Sequence, residues 1–512
     1  MSSNNRSAII GSLVRYAVKV RNSLIIIFVY FDECVVCFDI FETMSLIYPI
    51  FVVYGGARPL TLFDYLTNIV CMTKQERIVL ILLASLNFTH ILDFMIMMPL
   101  GNYLMPYFHI SPQEFSLLVS CYTLSAAMSG FVAAFYVDGF DRKKVLLTAY
   151  TGFLIGTIAC GLSPTFYFLL IARTIAGIFG GVIGAQVLSI VADTFRYEKR
   201  GAAMGAIMSS FAIASTFGIP FGLYLANLIS WHAPFLLIGV TGSVLIPVIM
   251  RYLPSMSGHL ENQEDNQRSK RKVIMDILHD KSQYMALLFS GLVMFGHFIT
   301  IPFINPFLEF NVGFSKNFSP LVYLFGGITS FFAANYLGKL SDQKGKLVIF
   351  RWSVLVALPL IFMLTNIPPT QAMIPVLILF NLWFMAGTGR GVTASAMVSN
   401  VVKPEQRGSF QSFNSSLQQL GSGMAALLAG FVVSKDPLTG KLVHYDRVGY
   451  ISIGVLIVTI FLANRVFKKM ESRAERNSER CSEPNVATIN VASTSPYTSE
   501  PETVGSLPSF PK

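Results

Sequence analysis

Asp138-Gly139-Phe140-Asp141-Arg142-Lys143-Lys144 is a charged elbow between two apolar runs, 112–137 and 145–162. Gly338-Lys339-Leu340-Ser341-Asp342-Gln343-Lys344-Gly345-Lys346 repeats it between runs 319–337 and 347–365. In each, an acid (Asp138 or Asp342) closes one long hydrophobic segment and a basic cluster opens the next. A second landmark recurs in the same order. Glu198-Lys199-Arg200-Gly201 precedes the run 202–229, and Glu405-Gln406-Arg407-Gly408 precedes 409–434. Two ordered matches at one offset of roughly 200 residues point to an internal duplication, the architecture from which alternating-access membrane proteins are built.

Working outward from the elbows, twelve apolar segments follow: 78–106, 112–137, 145–162, 166–192, 202–229, 232–253, 284–308, 319–337, 347–365, 371–398, 409–434 and 448–467. Most reach the roughly 20 residues that a helix needs to cross hydrocarbon. The chain is 512 residues long, 53% hydrophobic and only 13% charged, against about a quarter charged in soluble domains. The runs are continuous, which excludes the alternating strands of a membrane barrel. The expectation is an all-α polytopic membrane protein of two six-helix bundles related by a pseudo-two-fold axis. The N-terminal bundle covers 72–253, a polar linker 254–283, and the C-terminal bundle 284–470. Residues 471–512, rich in Ser, Thr, Pro and Glu, read as a disordered tail.

Residues 1–71 fit this scheme poorly. Their apolar run 23–54 is broken by Asp32, Glu33, Asp39 and Glu42, and each acid costs roughly 2.5–3.5 kcal/mol in a membrane centre. They read as an atypical extension outside the core, with Met72 as a candidate start.

The net charge of +10 is spread over the loops and the tail, so a nucleic-acid partner is not expected. Loops 2–3, 4–5, 6–7, 8–9 and 10–11 are basic, whereas loops 1–2, 3–4, 5–6 and 9–10 carry no Lys or Arg and loop 7–8 only Lys316. The positive-inside rule then puts the basic loops and both core termini in the cytoplasm. Loop 11–12, with Lys435 and Lys441, is the exception. Cys34-Val-Val-Cys37 has redox spacing but lacks a second ligand pair, so no metal is expected. His-Glu-x-x-His, a Gly-x-x-x-x-Gly-Lys-Ser/Thr loop and a nucleophile elbow are all missing from the chain, which argues against an enzyme and against ATP-driven pumping.

These features together resemble a major facilitator superfamily transporter, of the twelve-helix drug:proton antiporter type found in bacteria, over about 75–467. In the loop 2–3 signature Asp138 and Arg142-Lys143-Lys144 match, while Ala134, Gly139 and Asp141 stand where Gly, Arg and Gly are usual. The second elbow keeps Gly338, Asp342, Gly345 and Lys346. Leu170-Ile-Ala-Arg173-Thr-Ile-Ala-Gly177 is similar to the signature of segment 4, and Gly218-Ile-Pro220-Phe-Gly222 to the antiporter signature of segment 5. The resemblance implies proton-coupled efflux of small organic molecules by a monomer in the bacterial inner membrane. A proton gradient supplies the energy and no cofactor is needed. A sugar or metabolite facilitator or symporter of the same fold is the alternative, ahead of a sensor or a membrane enzyme.

Asp138 and Arg142, at the ends of segments 2 and 3, suit a charge-assisted lock that holds one conformation, with Gly338, Asp342 and Lys346 as its echo. Asp93, inside segment 1, is the candidate proton carrier, and His90 lies three residues earlier on the same helical face. Alternatively the two stitch helices together. An intramembrane arginine usually faces a cavity and a partner; the resemblance gives Arg173 the task of tuning the acid, with snorkelling as the alternative. Arg390 does not align with Arg173 when the repeat is registered on the Glu-x-Arg-Gly landmarks, so it is left for substrate or structure. Gly218, Pro220 and Gly222 permit close approach and a bend. The resemblance puts segments 1, 4, 7 and 10 around the cavity; polar candidates are Asn87, Gln186, His297, Asn305, Asn381, Asn414 and Gln418.

Overall fold

The computed structural model describes residues 72–136, 139–195, 197–256, 279–370, 372–402 and 407–482. The readings of 1–71, of Asp138, of most of the linker and of 483–512 lie outside the described residues.

Segment 1 opens on a capping box. The Thr73 hydroxyl accepts from the Glu76 amide, and the Glu76 carboxylate accepts from the Thr73 amide, which satisfies two of the free donors of a helix start. Helix α1 (Lys74–Ile96) stops just ahead of Pro99, and α2 (Gly101–Phe108) completes the segment. Helix α3 (Pro112–Tyr136) is segment 2. Asp141 caps α4 (Arg142–Gly161) and Thr165 caps α5 (Phe166–Thr194), each by accepting from a first-turn amide. Segment 5 divides into α6 (Tyr197–Ile213), one π turn (Ala214–Gly218) and α7 (Ile219–Leu228). The break has a cause: Pro220 offers no amide to the preceding turn, and the wider turn takes up the mismatch. Helix α8 (His232–Tyr252) closes the first bundle.

The second bundle repeats the plan. Segment 7 is α9 (Lys281–Phe298), α10 (Ile301–Phe307) and a π turn at Leu308–Val312. Then come α11 (Ser319–Lys344), α12 (Lys346–Thr365), α13 (Met373–Ser399), α14 (Arg407–Val432) and α15 (Tyr445–Ser482). Among the described residues, eleven helical segments are long and apolar enough to cross a membrane. Helix α14 has the length, 26 residues, but Gln411, Asn414, Ser415, Ser416, Gln418 and Gln419 dilute its hydropathy.

One expectation needs correction. Helix α15 runs to Ser482, so the stretch read as tail from residue 471 begins as helix; its Glu, Arg and Ala residues are good helix formers. The all-α expectation holds, with one short hairpin in a loop. Strands β1 (Ser434–Lys435) and β2 (Leu442–Val443) pair antiparallel in the loop before α15. The Asp436 carboxylate shapes their turn by accepting from the Leu438 amide and the Thr439 hydroxyl.

The two bundles meet along two seams, α3 against α14 and α7 against α11. Under the duplication, α3 corresponds to α11 and the α6–α7 pair to α14, so each seam is the other with the halves exchanged. The pseudo-two-fold relation is thus visible in the packing itself. Both seams are close. A Cβ on Gly327 would fall 2.4 Å from the Thr216 Cα, and one on Gly430 would overlap the Ser116 hydroxyl. Large apolar side chains such as Ile81, Tyr167, Phe332 and Phe431 point outward, as a lipid-facing surface requires.

Candidate functional site

The first half of the site joins α1 to α5. Arg173 Nη1 donates to Asp93 Oδ2 at 2.8 Å and to the Asp93 carbonyl at 3.3 Å. Both residues are wholly buried. The guanidinium also lies 4.3 Å from the centre of the Tyr122 ring, a cation–π contact favoured where water is absent. Arg173 therefore turns into the bundle and does not snorkel. The pair is only partly satisfied: Asp93 Oδ1, Arg173 Nε, the Tyr122 hydroxyl and both His90 ring nitrogens have no hydrogen-bond partner. His90 faces Phe153 (ring centres 5.7 Å apart) and Tyr122 (6.4 Å), and it is not bonded to Asp93.

The second half joins α9 to α13. Arg390 Nη2 lies 2.9 Å from His297 Nδ1; since guanidinium has only donors, the imidazole accepts through Nδ1 and carries its proton on Nε2. The His297 ring sits 5.3 Å from the Trp383 ring. Arg390 is 1% exposed, and its Nη1 has no partner. By the offset of the Glu-x-Arg-Gly landmarks, Arg390 is not the counterpart of Arg173. It is His297 that stands at the landmark offset from His90, and Gly387 from Gly180. A Cβ on Gly180 would come 3.0 Å from His90 Nε2, and one on Gly387 3.4 Å from His297 Cε1. Each histidine rests on the corresponding glycine.

Aromatic rings connect the halves. Phe298 meets Phe94 across the bundles at 5.8 Å, and Phe94 stacks on Tyr122 at 5.7 Å. Away from the elbows, the bundles are held by polar contacts. Asn305 donates to the Pro99 carbonyl at 2.8 Å, Asn102 to Glu309, and Asn227 to the Lys316 carbonyl at 3.3 Å. Tyr103 donates to Asn227. Lys316 pairs with Glu309 at 3.2 Å and lies over the Tyr103 ring. Apart from Asn305, these residues are absent from the sequence-based candidates. The one signal was Lys316, the single base of loop 7–8. These side-chain hydrogen bonds between the bundles lie together at this end.

The elbows behave differently from each other. Arg142 is buried and its Nε donates to Asp193 near the end of α5, a partner that sequence reading missed. Asp141 accepts from the Lys143 amide (2.9 Å), the Met256 amide (3.2 Å) and the Ser255 hydroxyl. Lys143 Nζ donates to the Met250 carbonyl at 2.8 Å. Burial alone would raise the Asp141 carboxyl, but those donors and nearby Lys144 hold it below its ordinary value. In the second elbow, Asp342 and Lys346 approach each other only to 4.0 Å across one exposed turn, and Gly338 has Val392 nearby. A groove of about 880 Å³ borders the first elbow, lined by Phe140, Asp141, Lys144, Phe179 and Ser255.

Several cavity candidates hydrogen-bond to neighbouring groups. Asn87 donates to the Ile207 carbonyl, Asn381 bonds Thr329 and the Leu377 carbonyl, and Gln418 donates to the Ser290 hydroxyl. Gln186 and Asn414 stay buried with an unpartnered side-chain oxygen each. Gly218 faces Leu92, Gly222 faces Ile96, and Pro220 follows the π turn. Among the described residues, no group of three or more His, Cys, Asp or Glu could hold a metal.

Comparison with known proteins agrees with this architecture. The family model described as Major Facilitator Superfamily matches residues 83–426. An MFS-type transporter, YceJ, of Bacillus subtilis (strain 168) is 22% identical over 368 residues, covering 72% of this chain and 92% of its own. A second from the same organism, YbcL, is 24% identical over 348 residues, covering 67% and 85%. Among solved structures, an inward-facing, unoccupied bacterial homolog of the human lysosomal transporter Spinster superposes with a TM-score of 0.64. It shares 16% identity and covers 78% of this chain and 98% of its own. The inward-open xylose transporter XylE of E. coli gives 0.56 at 14% identity, covering 74% and 95%. The chain belongs to the Major Facilitator Superfamily and is a multi-pass membrane transporter, not an enzyme.

Proposed function

We propose that this protein is a twelve-span, proton-coupled secondary transporter that exports small organic molecules by alternating access. The observation that carries the reading is the buried Asp93–Arg173 pair, whose second carboxylate oxygen is not engaged by the arginine and has only the Thr157 hydroxyl near it. A proton arriving at that oxygen neutralises the acid and weakens its hold on the guanidinium. Tyr122 offers Arg173 an alternative neighbour, and its helix α3 forms a seam with the opposite bundle. Protonation can therefore be felt where the bundles move against each other.

The elbow end would face the cytoplasm, since its loops carry the bases. The far end, closed by Asn305, Asn102, Glu309 and Lys316, would face outward. Arg142 with Asp193, and Asp141 with the residues after α8, would hold the elbow rigid while the bundles rock. Asp342 and Lys346 would act after the bundles rearrange, because here they engage only each other. The π turn before Pro220, with Gly218 and Gly222, would give the flexible point of the antiporter type. The reading includes a monomer in a bacterial inner membrane, driven by the proton gradient without a cofactor.

Uptake of a panel of labelled compounds into proteoliposomes under an imposed pH gradient tests it. Asp93→Asn should abolish gradient-driven flux and leave counterflow exchange intact. Unchanged gradient-driven flux would remove Asp93 from coupling, and flux of the parent chain that ignores the gradient would leave a facilitator of the same fold.

A further inference from the structure

The two buried arginines are not electrically alike. Arg173 has a carboxylate at 2.8 Å, whereas Arg390 has only an imidazole nitrogen at 2.9 Å. Among the described residues, no acid pairs with Arg390, and its Nη1 has no acceptor at all. A buried charge without a counter-ion is strongly unfavourable, and within a membrane segment such a group usually serves a ligand or ion. His297 does not relieve the charge. By accepting through Nδ1 it stays neutral, and it engages Nη2 of the guanidinium while leaving Nη1 free.

The helix backbone next to Arg390 is open. A Cβ added at Gly391, next in sequence to Arg390, would meet nothing within 4 Å, and the same is true at Gly184 on α5. Gly184 and Gly391 are a further pair at the landmark offset, so the two central helices carry matching openings. Around the arginine the surfaces are apolar and aromatic: Trp383 lies against His297, and Phe298 leads to Phe94 of the other bundle.

We infer that Arg390 is the anchor for an organic anion, a carboxylate or phosphate attached to an apolar or aromatic body. This rests on the transporter reading, with the binding site lying between the central helices. An anionic oxygen can take the free Nη1, and the planar, delocalised guanidinium suits carboxylate and phosphate in a way that an ammonium cannot reproduce. The aromatic surroundings take the body. The anion supplies the missing counter-charge, so binding removes the cost that the empty site carries.

Trp383 is one of three tryptophans in the chain, and its place against His297 makes it a reporter. The purified full chain in neutral detergent is titrated with benzoate, phenylphosphate, benzamide and benzylammonium while tryptophan emission and thermal midpoint are followed. Benzoate and phenylphosphate should quench saturably and raise the midpoint; benzamide and benzylammonium should do neither. Arg390→Gln should weaken anion binding at least tenfold, and Arg390→Lys should keep part of it. Trp383→Phe should lose the quench and keep the midpoint shift. The charge series needs no variant, so a poorly folding Arg390→Gln leaves the test intact. Adding phosphatidylglycerol to the micelles separates the sources: displacement of benzoate points to a lipid phosphate at the same guanidinium, and its absence to a soluble anion.

Equal responses to the neutral and cationic probes would overturn the inference, as would anion binding unaffected by Arg390→Gln. Gradient-driven flux of cationic compounds by Arg390→Gln at the native rate would overturn it too, while leaving transport standing. Saturable anion binding with no flux of any compound in proteoliposomes would instead overturn the transporter reading and keep the anion site.

Discussion

His90 and His297 hold the same place in the two halves of the molecule, each resting on a glycine of the central helix, Gly180 or Gly387. What differs is the charge beside them. In the first half an arginine pairs with a carboxylate, and His90 keeps both nitrogens free of partners. In the second half the histidine itself takes the arginine. The duplication kept the frame and divided the chemistry.

Removing Arg173 should be worse than removing both members of its pair. Arg173→Gln leaves a buried carboxylate with no counter-charge, a change that typically costs about 3–5 kcal/mol. Arg173→Gln combined with Asp93→Asn leaves no ion behind and should recover much of the loss. Thermal midpoints of the two variants in detergent, compared with the parent, measure the difference.

Glycines along α5 should divide by what they face. A Cβ on Gly181 would lie 2.2 Å from the Ala126 carbonyl, and one on Gly177 2.4 Å from the Tyr122 carbonyl. Backbone cannot step aside cheaply, so Gly177→Ala and Gly181→Ala should lower expression and thermal stability sharply. Gly184→Ala meets open space and should express like the parent. Size-exclusion profiles of the three variants decide this.

The closed end should loosen when its ion pair is cut. Glu309→Ala removes the partner of Lys316 and the acceptor of Asn102 together. An Ile304→Cys reporter, buried at 3% exposure, should then react several-fold faster with a membrane-impermeant maleimide. An unchanged labelling rate would mean that the remaining contacts, Asn305 with Pro99 and Asn227 with Lys316 among them, keep this end shut.

The first elbow should respond to acid in a defined direction. The Asp141 carboxyl is held below its ordinary value by the donors around it. Its contribution is therefore fully present above the unfolded-state value and disappears as pH falls through the lowered one. Amide exchange at Lys143 and Met256, corrected for intrinsic rates, should stay slow at neutral pH and quicken in that acidic window. Asp141→Asn should quicken it at every pH.

What could be read from the chain follows from scarcity. Charges are few inside apolar runs, so Asp93 and Arg173 had little choice but each other, and the duplication was legible from acids and bases at helix ends. The far-end closure was not legible, because Asn102, Tyr103 and Asn227 are ordinary neutral residues whose role depends on which helix tip faces which. Asn87 and Asn381 were equivocal for the same reason: a polar side chain in a helix serves equally well for a neighbour's backbone or a ligand. The Arg142–Asp193 contact needed the proximity of α4 and α5, for which the sequence offered no spacing.

The unneutralised guanidinium of Arg390 has an electrical consequence. A fixed charge within the bilayer feels the transmembrane potential, worth about 2.3 kcal/mol per 100 mV for a full crossing. If the empty carrier turns over with that charge bare and the loaded one with it cancelled, voltage acts on the return stroke alone. Currents from a reconstituted membrane should then track the rate of resetting, not the rate of delivery.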